Sequence, residues 1–281
     1  MQTRLIRSQL LQLHGPDAAA FIQAQVMSDS ATLADGQWQW SGWLTAKGRL
    51  VAFFALYRQA ADDWLLWLPA GGADALRGQM QRFVFRSKLT LQVREDLQVV
   101  GRLAPGDAAI NRPIMNPDDD AAAVARLALD PQREAIILPG GDAAVDPQIL
   151  ARWYLADLAA GIAYIGAGEP ASEQFVPQWL SLERLQAFSV KKGCYPGQEI
   201  VSRMHFLGQS KRAAFRLHGP GKPPPALAKV LSAEDRALGE IVWASADGDG
   251  WQALAVLNAE QADQVASVQD GDASTTAAVL A

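Results

Sequence analysis

The chain has 281 residues, of which 49% are hydrophobic and 20% are charged, and this is the balance of an ordinary globular protein. No apolar run approaches the ~20 residues that a membrane-spanning helix needs, and the N-terminal stretch lacks the apolar core of a signal peptide. We therefore expect a cytoplasmic protein. The net charge of −5 argues against binding nucleic acid over the whole surface.

The first hundred residues alternate strands with helices. Apolar and alternating segments predict strands over residues 4–13, 37–43, 50–57, 64–68 and 89–93. A hairpin turn is expected at Lys47-Gly48. Two helices are predicted, one capped by Asp17 and one after Gly71-Gly72. Their buried residues are expected to be Phe21, Ile22 and Val26 in the first helix, and Leu76, Met80, Phe83 and Val84 in the second. Hairpins mixed with helices favour an antiparallel α+β fold.

The second half of the chain begins with a segment rich in Pro, Asp and Ala. Residues 104–131 are predicted to form a long surface excursion, and residues 135–138 a strand. Asp146 and Pro147 are typical of a helix start, and Gly161 of a helix end. The Gly/Pro-rich segment 219–225 is either a linker or a rigid turn. Short apolar segments at 228–231, 237–244 and 251–257 then predict a small β-barrel or sandwich.

Metal-binding and disulfide chemistry have few candidate residues. Cys194 is the only cysteine, so neither an internal disulfide nor a cluster held on four thiolates is possible. The three histidines, His14, His205 and His218, do not have the spacing of a zinc site. We therefore expect no bound metal.

Basic residues concentrate in two stretches. The stretch 77–94 carries five basic residues and no acidic one, and the stretch 183–216 carries seven basic residues against two acidic ones. Together they could attract an anionic ligand, or they could be two solvated faces. The charge pattern alone leaves both interpretations open.

Cys194 lies in a Gly/Pro-rich turn preceded by Lys191 and Lys192. Pro196 is predicted at the first position of a helix that runs to Gly208. A helix N-terminus and nearby ammonium groups favour the thiolate, which indicates a functional thiol; a buried packing residue is the alternative. His205 would lie roughly 15 Å further along the helix axis, so no Cys–His pair of the protease type is expected.

The segment Lys192-Gly193-Cys194-Tyr195-Pro196-Gly197-Gln198-Glu199 resembles the K-x-C-Y-x-G-Q-E signature of the YgfZ family. The upstream residues 175–178 and the helix that ends at Ala159-Ala160-Gly161 resemble the same family. Between Gly15 and Gly48 the chain is similar to the folate-binding half of the glycine-cleavage T-protein. The resemblance extends over nearly the whole chain.

This resemblance implies a three-lobed folate-binding protein. Residues 1–208 would form a T-protein-like region with two lobes, one of residues 1–50 with about 100–208 and one of about 51–99, and residues 209–281 the C-terminal β-barrel. The implied cofactor is tetrahydrofolate or a polyglutamylated derivative. Cys194 would be the functional thiol, with Lys192 as its electrostatic partner. The candidate folate-binding residues are Phe175, Gln178, Trp179, Tyr195, Gln198 and Glu199.

Two departures from these families bear on activity. T-proteins carry two aspartates in the strand after the Lys-Gly turn, and the corresponding positions here are Ala52 and Phe53. An apolar pair cannot move a proton, so aminomethyl transfer by that mechanism is not expected. Within the YgfZ pattern, Ser181 replaces the usual Asn and Pro196 a common Thr.

Three functions remain as hypotheses. The resemblance implies an accessory protein that supports iron–sulfur clusters in client enzymes, among them radical enzymes that thiolate tRNA. A folate-dependent one-carbon transferase is the alternative, and it would need Asp29, Glu173 or Glu199 in place of the missing aspartates. Direct tRNA binding through the two basic stretches is the third hypothesis. A membrane partner is not expected.

Overall fold

The computed structural model describes residues 1–104, 122–208 and 210–280. The acidic cluster at residues 118–120 and most of the predicted surface excursion lie outside the described residues. In the described ranges, no helix has the length and apolar character to cross a membrane. The same ranges contain no cluster of three or more His, Cys, Asp or Glu side chains placed to hold a metal ion.

Strands form most of the regular structure. In chain order they are β1 (Gln2–Arg4), β2 (Gln9–His14), β3 (Trp38–Leu44), β4 (Leu50–Ala60), β5 (Asp63–Leu68), β6 (Thr90–Val93), β7 (Leu97–Leu103), β8 (Ala125–Asp130), β9 (Arg133–Pro139), β10 (Arg212–Pro220), β11 (Lys229–Ser232), β12 (Ala237–Asp247), β13 (Gly250–Asn258), β14 (Val265–Asp270), β15 (Ala273–Thr276) and β16 (Ala278–Val279). The helices are α1 (Ala18–Gln25), α2 (Ala73–Met80), α3 (Pro147–Ala160) and α4 (Gln198–Leu207). The predicted antiparallel α+β class is confirmed.

The first sheet has five strands in the order β3-β4-β5-β2-β6. In its second strand, β4, the residues from Leu50 to Leu56 are all apolar, because both faces of this part of the strand are covered. Leu50, Phe53 and Ala55 face one core, and Val51 and Phe54 face a second core under α1 and α2. The resemblance implies a lobe boundary at residue 50. Because β3 lies before this residue, β4 begins at it and the two strands pair, the first sheet contains strands from both implied lobes.

The second sheet has four strands in the order β1-β7-β9-β8, and α3 packs on it. Two predictions are corrected here. The single strand expected over residues 4–13 is two strands in different sheets, because the chain turns between Leu5 and Ser8. The end of the expected surface excursion is β8, which pairs with β9 because Ala125 and Leu127 point into the core.

The third sheet has seven strands, in the order β15-β14-β11-β12-β13-β10-β16, and forms a nearly closed barrel. Since β10 ends at Pro220 and pairs with β13 along its length, segment 219–225 leads from one strand of the barrel towards the next. It is therefore the rigid turn and not a linker between domains. The division of the chain at residue 208 stays a prediction.

Helix boundaries follow the sequence signals in part. The Asp146 side chain accepts hydrogen bonds from the Gln148 and Ile149 amides, and Gly161 ends α3 in a left-handed conformation, as predicted. The Asp17 carboxylate instead accepts a bond from the Lys88 amide, so it does not cap α1. The second predicted helix stops at Met80, before Phe83, whose side chain is 49% exposed.

A buried polar network joins α3 to the neighbouring sheet. The Asp157 carboxylate is 1% exposed and accepts bonds from Arg133 Nη1 at 2.6 Å and the Tyr164 hydroxyl at 2.8 Å. Burial raises the pKa of Asp157 to about 6, while Arg133 and Tyr164 act in the opposite direction. The Tyr164 ring stacks on Trp243 of the barrel at 4.2 Å, so the network also reaches the C-terminal sheet.

Asp157→Ala is expected to lower the free energy of unfolding by about 3–5 kcal/mol, because Arg133 Nη1 stays buried without its acceptor while Asp130 binds only Nε. Urea denaturation would measure this loss. The exposed pair of Asp74 and Arg77 supplies the control: Asp74→Ala should cost less than about 1 kcal/mol. The double change Arg133→Met with Asp157→Leu should cost less than Asp157→Ala alone. A cost for Asp157→Ala equal to that of the control would contradict this account.

Candidate functional site

The cysteine loop, residues 189–198, connects the segment after α3 to α4. Cys194 is exposed near its tip, and a methyl group added at Gly193 would meet no atom within 4 Å. The thiol therefore faces open space. The alternative of a buried packing residue is not what the structure shows.

Lys192 is buried although it carries an amino group. Its Nζ donates to the carbonyl oxygens of Val26 at 2.8 Å and Ser28 at 2.9 Å, and it lies 5.2 Å from the centre of the Tyr195 ring. Burial lowers its pKa to about 8, while the nearby Asp29 carboxylate opposes this shift. Lys192 thus fastens the cysteine loop to the chain segment that follows α1. Its predicted effect on the thiol stays a prediction.

Tyr195 and Gln198 hold the loop from within. The Tyr195 hydroxyl donates to the Ser189 carbonyl at 2.9 Å, and burial of its ring raises the pKa of the hydroxyl. Gln198 Nε2 donates to the Lys192 carbonyl at 2.9 Å. These two bonds close the loop on either side of Cys194, so its conformation is set by its own motif residues.

The loop ends in a tight turn from Tyr195 to Gln198. The Gln198 amide donates to the Tyr195 carbonyl, and Gly197 has φ +77°, which matches a type II turn with Pro196 in its second position. The helix α4 therefore begins at Gln198, and the prediction that Pro196 is its first residue is wrong. A side chain at Gly197 would meet the Thr45 carbonyl at 2.6 Å and Gly48 Cα at 2.7 Å, so the Lys47-Gly48 hairpin abuts this turn.

A cleft of about 560 Å³ lies between residues 178–183, the end of α4 and the start of β10. Gln178 lines it; its Nε2 donates to the Val201 carbonyl at 2.8 Å, but its buried Oε1 has no hydrogen-bond partner. The neighbouring Trp179 ring is flanked by the guanidinium groups of Arg49 and Arg212, each 4.8 Å from a ring centre. The cleft thus combines an unused acceptor with basic and aromatic groups.

The other predicted folate-binding residues are distributed differently. Phe175 is 1% exposed and packs in the main core with Tyr195, so both support the site from behind. Glu199 is exposed in the first turn of α4. The structure therefore places Gln178 in the lining of the cleft and Trp179 against Arg212, which also lines it, whereas Tyr195, Gln198 and Glu199 belong to the cysteine loop and its helix.

The two positions that the resemblance matches to the T-protein aspartates are apolar and inaccessible. Ala52 and Phe53 are fully buried, and the Phe53 ring stacks on Trp40 at 5.0 Å. Of the proposed replacements, Asp29 accepts a bond from Gln23 at 3.0 Å, while Glu173 and Glu199 are exposed. None of the three lies among the residues that line the cleft.

Asp157, the most deeply buried carboxylate in the described part of the chain, was not among the residues predicted from the sequence. Tyr164, which donates to it, packs against Tyr154 and Trp243, with ring-centre distances of 4.2–6.4 Å among the three rings, and the Tyr154 hydroxyl is buried without a partner. A signal was present, because Asp157 follows Trp153 by four residues and so lies on the apolar face of α3.

The comparisons with known proteins agree with the resemblance. No protein-family model matches the chain. It is 28% identical over 297 residues to the tRNA-modifying protein YgfZ of Serratia proteamaculans, covering 96% of this chain and 88% of that protein. It is 29% identical over 237 residues to the tRNA-modifying protein YgfZ of Cronobacter sakazakii, covering 77% and 70%.

Among solved structures, the chain is similar to the glycine cleavage system aminomethyltransferase T of Bartonella henselae. The TM-score is 0.66 with 18% sequence identity, and the match covers 100% of this chain and 84% of that one. At this identity the likeness shows the fold alone. The resemblance to YgfZ proteins, with the fold of the T-protein, is thereby confirmed.

Lys192→Met tests the buried ammonium through the pH dependence of stability. Since the pKa of Lys192 is lowered from 10.5 to about 8, the unfolded chain binds more protons between these values, and folding stability rises with pH there. Relative to Lys192→Met, the wild-type protein should gain about 2 kcal/mol between pH 7.5 and 10. Urea denaturation at several pH values measures this gain. Lys191→Met, at an exposed position, should track the wild type, and parallel curves for all three proteins would contradict the assignment.

Proposed function

We propose that the chain is a folate-binding accessory protein of tRNA modification, which supports iron–sulfur clusters in client enzymes through the Cys194 thiol. One observation carries the proposal. In the cysteine loop the side chains of Lys192, Tyr195 and Gln198 donate hydrogen bonds to backbone carbonyls and so hold the loop in place. The thiol of Cys194, which lies between them in the sequence, is exposed. A loop built in this way serves to present Cys194.

The thiol suits a role on clusters that other proteins hold. A thiolate is a nucleophile and a soft metal ligand, but one thiolate cannot bind a cluster by itself. The curated relatives are named for tRNA modification, which supports a link to enzymes of that process. Radical enzymes that thiolate tRNA carry iron–sulfur clusters and are the client class we propose.

Folate binding is supported by the fold and by the unused acceptor in the cleft. Gln178 Oε1 can accept a hydrogen bond from a pterin N–H group, and leaving it buried without a partner costs stability. Arg212 beside the same cleft can pair with a glutamate carboxylate. The cleft volume of about 560 Å³ lies in the range of small-molecule sites. Bound folate would supply a carrier of one-carbon units.

The one-carbon transferase is the weaker alternative. It needs a carboxylate that can move a proton at the folate, and Phe53, stacked on Trp40, fills the position where the T-protein has one. Glu173 and Glu199 face solvent outside the cleft. We therefore assign this chain a binding and supporting role, which a turnover assay with a lipoyl protein carrying an aminomethyl group would test.

Calorimetry should detect binding of tetrahydrofolate to the purified protein, more tightly for a polyglutamylated form. Gln178→Leu should weaken binding about 5- to 10-fold, because one buried hydrogen bond to the ligand is lost. Gln132→Leu, at an exposed position of the β8–β9 turn, is the control and should bind as the wild type does. If the wild-type protein takes up no folate at high protein concentration, the folate assignment is wrong.

Cys194→Ser and Cys194→Ala should leave stability unchanged within about 0.5 kcal/mol, because the thiol packs against no core. Both variants should nevertheless fail to restore thiolated nucleosides in tRNA, measured by mass spectrometry in a strain that lacks the chromosomal copy. The native thiol should react with iodoacetamide as fast as the urea-unfolded chain does. Lys191→Met, in the same loop, should restore thiolation. Full restoration by Cys194→Ser would disprove the role of the thiol.

A further inference from the structure

A second exposed loop has a composition that the proposed function does not use. Residues 81–88, Gln-Arg-Phe-Val-Phe-Arg-Ser-Lys, connect α2 to β6 and are called here the basic–aromatic loop. Phe85 is 88% exposed and Phe83 49% exposed. Complete burial of one such side chain is worth about 1.5–3 kcal/mol, so a partner that covers Phe85 would be stabilised by it.

The loop is held in place at both ends. Val84 is buried, its carbonyl accepts a bond from the Ser87 amide at 2.6 Å, and the Lys88 amide donates to the Asp17 carboxylate at 2.6 Å. The Phe83 ring meets the Trp43 ring edge-on at 5.6 Å. Phe85 is therefore presented to solvent by a fixed backbone, not by a frayed end.

The charges of the loop have one sign. Arg82, Arg86 and Lys88 are exposed, and across the described part of the chain no carboxylate lies within 4 Å of their charged groups. The Arg86 guanidinium lies 5.5 Å from the centre of the Phe85 ring. In a chain with a net charge of −5, this cationic group beside an open aromatic face is a local exception.

We propose that the basic–aromatic loop binds single-stranded RNA, with a base stacked on Phe85 and phosphates paired with Arg82, Arg86 and Lys88. Proteins bind single strands by this combination, because every base has a face that stacks and every nucleotide has a phosphate. The inference goes beyond the proposed function: it involves neither the folate cleft nor the thiol.

Two other anionic partners fit the charges but not the ring. A polyglutamate tail offers carboxylates and no surface that stacks on Phe85. An anionic membrane could bury Phe85, but it would accept leucine at this position as readily as phenylalanine, because burial of apolar area is not directional. The exposed ring, with its aromatic face, favours a nucleobase.

The basic–aromatic loop is connected to the cysteine loop indirectly, through a series of residue contacts. Phe83 packs on Trp43, whose backbone bridges to Val26, and the Val26 carbonyl accepts the bond from Lys192. A continuous set of contacts thus joins the basic–aromatic loop to the cysteine loop.

Fluorescence anisotropy with a labelled single-stranded RNA of twelve mixed nucleotides tests the stacking, using the purified full chain without folate. Phe85→Ala should weaken binding about 5- to 150-fold, which corresponds to the ~1–3 kcal/mol of one stacked base. Phe85→Leu should lose nearly as much, and Phe85→Trp should keep wild-type affinity. Ile6→Ala, which removes a 58% exposed apolar side chain elsewhere, is the control and should change nothing.

The salt dependence tests the charges. Changing Arg82, Arg86 and Lys88 to Gln should lower the slope of log affinity against log salt by about 2, because each phosphate contact on a single strand contributes ~0.7. Changing the exposed Lys222, Lys229 and Arg236 to Gln removes the same net charge and should leave the slope unchanged. The Cys194→Ser variant should bind this RNA as the wild type does. A lack of RNA binding would therefore contradict the role of the basic–aromatic loop and leave the proposed function of the thiol untouched.

Several results would overturn the proposal. One is the absence of RNA binding at low salt, and another is equal affinity for the wild type and Phe85→Ala. Wild-type affinity in Phe85→Leu would assign the loop to apolar docking instead of stacking. Loop-dependent binding of phosphatidylserine vesicles or of poly-γ-glutamate, without binding of RNA, would identify a membrane or a folate tail as the partner.

Discussion

The burial of one ammonium group organises the candidate site. Lys192 Nζ is removed from water, which disfavours its charge, and the carbonyl oxygens of Val26 and Ser28 compensate by accepting hydrogen bonds from it. These carbonyls belong to the segment between α1 and β3, more than 160 residues earlier in the chain. The position of the cysteine loop therefore depends on its contacts with the N-terminal part of the fold, and the backbone that carries the exposed thiol is held by a buried side chain.

A second buried charge network joins the second sheet to the barrel. Asp157 on α3 binds Arg133 on β9, and Tyr164 links this pair to Trp243 on β12. The Trp243 indole also donates to the Ile162 carbonyl at 2.9 Å, directly across the junction. Breaking the Trp243–Ile162 or the Tyr164–Asp157 hydrogen bond would leave a polar group buried without a partner. The barrel therefore cannot rotate freely against the N-terminal half. The cleft beside Gln178, which uses residues of both parts, is stable for the same reason.

The sequence predicted the elements whose signal is local. The unbroken apolar run of β4, the Lys47-Gly48 turn and the Asp146 cap of α3 each depend on neighbouring residues, and the structure has all three. The errors have long-range causes. Asp17 bonds to Lys88 and not to its own helix, and Gly197 takes a left-handed conformation because the Gly48 backbone lies against it. Neither contact leaves a periodic pattern in the sequence.

The candidate site shows the same division. An exposed thiol was predictable from one cysteine among glycines and lysines, whereas the direction of the Lys192 side chain was not, because nothing in the sequence pairs it with Val26. Phe85 was missed for a related reason: the amphipathic pattern of α2 continues through Phe83, and only the structure shows that the helix stops at Met80. Phe53, stacked on Trp40, supplies no group for acid–base chemistry at a position that the resemblance matches to a T-protein aspartate. The exposed thiol and the exposed basic side chains lie instead in the cysteine loop and the basic–aromatic loop, where partners as large as an enzyme or an RNA can reach them.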